Sequence, residues 1–79
     1  MSTYFISLSL TWPPHLGDSE VVALLRQAVQ GVMCVEIEIT ARGMIVECEA
    51  AYLDFLETAI RVKLGAHGGS LDHMTAVNI

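Results

Sequence analysis

Residues 33–50 read MCVEIEITARGMIVECEA, two short runs in which apolar and acidic residues alternate around a central Ala-Arg-Gly. A period of two marks extended strands with one oily face and one wetted face. Val35, Ile37 and Ile39 then point one way, and Cys34, Glu36, Glu38 and Thr40 the other. In the second run Met44, Val46 and Cys48 alternate with Ile45, Glu47 and Glu49. Residues paired across strands share a face, so Ile39 must lie opposite Val46 or Met44. A two-residue turn at Arg42 and Gly43 gives the Val46 pairing, with the glycine supplying the positive φ of a tight hairpin turn. A three-residue loop would set oily side chains against acidic ones.

This register predicts Cys48 on the buried face beside Ile37 and Cys34 on the acidic face. The two thiols then lie on opposite sides of the sheet and can form neither a disulfide nor a shared metal site. Glu36, Glu38, Glu47 and Glu49 collect on one exposed surface without an intervening cation. Like charges on neighbouring strands repel, so a sheet shaped only by stability would mix signs there.

The flanks supply a strand and a helix on each side. Tyr4, Ile6, Leu8 and Leu10 alternate with Phe5, Ser7, Ser9 and Thr11 over residues 3–11, a strand with one face in the core. The prolines of WPPHLG, residues 12–17, end that ladder, and Trp12 either presents a recognition loop or covers the core edge. Asp18 or Ser19 caps a helix to about Gln30, whose buried arc is Val21, Leu24, Leu25, Ala28 and Val29, with Gly31 as its stop. Residues 52–64 form a second helix, with Leu53, Leu56, Ile60 and Leu64 buried and Tyr52, Phe55 and Ala59 adjoining. After the loop GAHGGS, which lacks the lysine and spacing of a phosphate loop, residues 71–79 form the last strand. His73 is expected on its inward side, and beyond it the strand carries no charge.

The order β-α-β-β-α-β predicts an α+β fold, a ferredoxin-like sandwich of one domain spanning 1–79. Its antiparallel sheet has order 4-1-3-2, with both helices on one face. The other face holds the four glutamates with Phe5, Ser7, Ser9, Cys34, Ile45, Asp72 and Met74. The loops at 12–17, 42–43 and 65–70 share one end. Residues 24–60 resemble, in the cadence helix, QGVMCVEIEI, GMIVECEA, helix, the heavy-metal-associated domains of copper chaperones. That resemblance implies the architecture alone. The family's two metal cysteines sit in a first loop that reads TWPPHLGDS here, so no metal residue carries over. The topology also resembles the small regulatory ACT domains, which bind amino acids at dimer interfaces.

Candidate chemistry is sparse. His15 and His67 approach each other on the loop end with Asp18 nearby, a zinc or copper set without a spacing signature. Cys34 among glutamates has a disfavoured thiolate, the reverse of an activated nucleophile. Four glutamates on a flat open sheet lack the enclosure that shifts carboxyl pKa values. The expectation is therefore no enzyme, no catalytic residue, no cofactor and no metal.

Composition bears on partners. A net charge of −5 over 79 residues disfavours nucleic acid and anionic membranes and favours a basic protein surface. At 53% hydrophobic residues, some apolar surface is expected to stay open, which favours a partner or a homodimer through the C-terminal edge strand. The N-terminal stretch lacks the basic start and apolar run of a signal peptide, and two separated cysteines suit a cytoplasmic location. Carboxylates spaced along strands imitate a run of phosphates. The expected function is a small inhibitor docking Glu36, Glu38, Glu47, Glu49 and Asp72, with Trp12, on a nucleic-acid-binding surface, as phage anti-CRISPR and anti-restriction proteins do. The alternative is a metal-handling or ACT-like regulatory domain acting as a homodimer.

Overall fold

Tyr4, Ile6 and Leu8 are buried while Phe5, Ser7 and Ser9 between them are exposed, the alternation that makes Ser2–Thr11 a strand, β1. The computed structural model describes all residues from Met1 to Ile79. After β1 follow α1 (Asp18–Gly31), β2 (Val35–Thr40), β3 (Gly43–Cys48), α2 (Tyr52–Gly65) and β4 (Ser70–Asn78). The strands form one sheet in the order β2-β3-β1-β4, all neighbours antiparallel. This is the expected order read from the opposite edge.

Both helices pack on one side. The inward residues of β1 and β3, Val21, Leu25 and Val29 of α1, and Leu56, Ile60 and Leu64 of α2 form a single apolar cluster. Glu20 reaches back to accept the Gly17 backbone N–H at 3.3 Å, so Gly17 rather than Asp18 or Ser19 occupies the cap and Asp18 opens the first turn. Gly31 does not end α1 in a left-handed conformation. The reversal falls two residues later at Met33, with φ 60°. On α2, Leu53 is half-buried and Phe55, expected beside the core, is exposed.

The hairpin departs from its expected register. Its turn residues are Ala41 and Arg42, with Thr40 opposite Gly43 and Ile39 opposite Met44. The Thr40 hydroxyl closes the turn, accepting from the Arg42 N–H and donating to the Gly43 carbonyl, both at 3.2 Å. Gly43 does not supply a positive φ. Its role is proximity, since a Cβ there would stand 2.7 Å from the Ile6 carbonyl oxygen of β1.

A second departure has wider consequences. The ladder slips between Glu36 and Glu38, leaving Ile37 as the inserted residue of a β-bulge on an edge strand. Beyond the bulge the faces exchange. Glu36, opposite Val46, turns to the helix side, and Val35, opposite Glu47, turns away from it. Cys34 is buried instead of sitting among exposed acids, and Val35 and Ile37 are 52% and 56% exposed.

β4 repeats the device. The ladder runs Ser9–His73 and then Leu10–Leu71, so Asp72 is the extra residue. Leu71 is buried and Met74, paired with Leu8, packs against the core, whereas His73 is exposed opposite Ser9. Met74 and His73 thus each take the face opposite to the expected one.

Candidate functional site

Register builds the helix-free face row by row. Glu38 pairs with Ile45, Ile45 with Phe5, and Phe5 with Val77, one line across all four strands. In the next row Val35, Glu47 and Thr3 are neighbours, and on the other side lie Thr40, Gly43, Ser7 and Thr75. Phe5 is 46% exposed and Val77 57%, so the central row is an apolar stripe open to water. A depression of about 180 Å³ beside Gly43 is lined by Phe5, Ile45, Glu38, Thr40 and Arg42.

The acids divide. Glu38 and Glu47 lie on this face by register. Glu49 follows β3 at its end, 3.5 Å from the N-terminal ammonium. Glu36 has left the face, held by Arg26 of α1 at 2.7 Å through Nε and 3.0 Å through Nη2. The hydrogen bond from Arg26, more than its charge, lowers the Glu36 carboxyl pKa. Asp72 sits at the far corner, accepting from the Thr11 hydroxyl at 2.6 Å and the Ser70 hydroxyl at 3.0 Å. Those two bonds, Thr11 first, lower its pKa as well. The expected set of four facing glutamates is therefore reduced, because the bulge withdraws Glu36 and supplies Val35 in exchange.

The cations are also apportioned. Arg26 is spent on Glu36, and Arg61 bonds Glu57 at 3.0 Å and donates to the Leu71 carbonyl at 2.6 Å. The guanidinium of Arg42, at the hairpin tip, has no partner within the chain and lines the depression.

Trp12 is half-buried against the core and shares a cavity of about 340 Å³ with Leu8, Ser9, Leu10, Ala41 and Arg42. The 12–17 loop does meet the 65–70 loop and the hairpin tip at one end. A Cβ on Gly68 would lie 3.5 Å from Pro13, and the Leu8 N–H bonds the Arg42 carbonyl at 2.9 Å. His15, His67 and Asp18 are all exposed, and no three His, Cys, Asp or Glu side chains converge as metal ligands anywhere in the chain.

The thiols are not separated by the sheet. Cys34 and Cys48 are both buried on the helix side, and Cys34 is pushed up to about 12, by burial first and then by the adjacent Cys48. Alternation alone hid Val35, Ile37 and the thiol pair, since it assumes an unbroken ladder. The uncharged run after His73 was the one signal pointing to Val77. No helix is long and apolar enough to cross a membrane. The chain matches no protein-family model, and neither the curated proteins nor the solved structures contain a significant match to it.

Proposed function

We propose that the chain is a protein-binding module, a ferredoxin-like sandwich whose helix-free face docks a partner apolar at its centre and basic at its rim. The observation that carries this reading is the row Ile45–Phe5–Val77, exposed at Phe5 and Val77 and bordered by Glu38 and Glu47. Burying such a stripe removes apolar area from water, and the flanking carboxylates select the sign of the rim. Two aliphatic side chains, Val35 and Ile37, are held in the open where simple alternation would bury them. Local rules broken in this way concentrate at working surfaces. A nucleic-acid-binding surface has the required positive rim, so an inhibitor of the anti-CRISPR or anti-restriction kind is the concrete form of the proposal.

The test is capture from a cell extract by four immobilised proteins: wild type, Phe5→Thr/Val77→Thr, Glu38→Lys/Glu47→Lys, and the helix-side control Asp54→Lys. The proposal expects one bound species lost with both face variants and kept with the control, all four having the same circular dichroism. Capture that survives both face variants overturns it. Sedimentation of the same proteins separates the alternative homodimer. Self-association that persists in the face variants at high salt would place the contact on the β4 edge, as a regulatory or metal-handling dimer requires.

A further inference from the structure

The slip at Ile37 has an effect on the two cysteines that alternation hides. On the far side of the bulge Glu36 pairs with Val46 and Val35 with Glu47, the last pair of the ladder. One further step in that register would bring Cys34, just before β2, against Cys48, which is its side-chain neighbour. The inward direction is fixed for both. Cys48 continues the buried series Met44, Val46, Cys48, and Cys34 lies two residues before Glu36, which reaches Arg26 on the helix side. Directly opposed residues in an antiparallel pair have Cα atoms about 4.5 to 5.5 Å apart, inside the roughly 4.4 to 6.8 Å span that a disulfide bridges. Both thiols are free, and Cys48 lies close enough to Cys34 to disfavour ionisation of the Cys34 thiol.

We propose that Cys34 and Cys48 are a redox-modification site, a dithiol that closes reversibly into one cross-strand disulfide with a low-molecular-weight disulfide as oxidant. The Cys34 thiolate attacks one sulfur of the oxidant, breaking its S–S bond and releasing one small thiolate. The Cys48 thiolate then attacks the Cys34 sulfur of the mixed disulfide and expels the second. The protein loses two hydrogens and two electrons, and the oxidant leaves as two thiols. Cys34 is the entering thiol because it is 9% exposed against 0% for Cys48 and precedes the first residue of an edge strand. The closed form pins β2 to β3 next to the bulge that holds Val35 in the open, so the modification acts on the edge of the proposed docking face. The bond itself does not depend on that docking reading.

Three arginines make the bond easy to locate. Trypsin cutting at Arg26, Arg42 and Arg61 places Cys34 in the peptide 27–42 and Cys48 in the peptide 43–61. The full chain is equilibrated at graded ratios of oxidised to reduced glutathione, quenched, alkylated and measured intact and after digestion. The expected result is a monomer lighter by about 2 Da that resists alkylation at both thiols and yields the linked pair of peptides. Closure should accelerate about tenfold per pH unit across the neutral range, since a thiol held near 12 is almost wholly protonated there. Cys34→Ser should give no loss of mass and no linked peptides. Should that variant fail to fold, the wild-type peptide map decides alone. Stable glutathione adducts on a folded wild type with Cys48 still open to alkylation, or linkage found only between chains, would overturn the proposal.

Discussion

The guanidinium of Arg26 donates two hydrogen bonds to the Glu36 carboxylate, at 2.7 and 3.0 Å, and so ties α1 to β2 across ten positions of sequence. The fork-to-fork geometry suits arginine and would be lost with lysine. It also explains why the bulge at Ile37 is tolerated. The slip exposes two aliphatic side chains, and in return Glu36 gains a charged partner and Cys34 is removed from water.

Acid should weaken this tie. The folded Glu36 carboxyl lies below its ordinary value of 4.5, so its contribution is present above that pH and is lost as pH falls through the folded value. Urea midpoints of wild type should therefore drop more below pH 4.5 than those of Glu36→Gln. Both groups are open to solvent, so added salt should shrink the difference. Parallel curves would show that the pair does not stabilise the fold.

At the opposite corner Asp72 is held low by hydroxyls, with no ion pair in contact. Thr11→Val removes the larger cause and should raise the Asp72 carboxyl toward 3.8, read by carbon-detected NMR titration. Ser70→Ala should move it less, because the Ser70 bond ranks second. An unmoved titration in Thr11→Val would show that the 2.6 Å bond is not kept in solution.

Much of the fold was legible because most of its signals are local. The alternation of Tyr4, Ile6 and Leu8, the arc Val21–Leu25–Val29 and the spacing of Leu56, Ile60 and Leu64 each survive in the structure. What failed was long-range. In VEIEIT every residue fits an unbroken ladder, and nothing nearby announces that Ile37 will be inserted. The deciding contact, Arg26 with Glu36, links a helix to a strand, and its worth appears only once α1 is docked. The glutamate row of the candidate site was therefore over-read, while Phe5 and Ile45 were placed on the right face from pattern alone.

Two pairs of glycines should respond in opposite directions to alanine. At Gly43 the new Cβ would meet the Ile6 carbonyl at 2.7 Å, and at Gly69 the Thr11 carbonyl at 2.9 Å, both backbone atoms that cannot swing aside. Gly31 and Gly65 end their helices with open space where the Cβ would go and without a positive φ. Gly31→Ala and Gly65→Ala should each stabilise by up to about 0.5 to 1 kcal/mol, and Gly43→Ala and Gly69→Ala should destabilise. Urea denaturation checks the signs, and a stabilising Gly43→Ala would mean that the β1–β3 approach is looser than it stands here.

Adjacent residues on β1 separate stability from function. Ile6 is fully buried between the helices and the sheet, whereas Phe5 points the other way onto the open stripe. Ile6→Val removes one methylene from a filled core and should cost about 0.5 to 1.5 kcal/mol. Phe5→Thr puts a β-branched, strand-compatible side chain in place of the aromatic one and deletes a ring in contact with water. Its cost should stay within about 0.5 kcal/mol, the usual range for surface positions. Capture of a partner should reverse the ranking, with Ile6→Val binding as wild type and Phe5→Thr weakened. A Phe5→Thr protein destabilised as much as Ile6→Val would instead assign the stripe to folding, since a ring that holds the sheet together cannot be free to serve as a docking anchor.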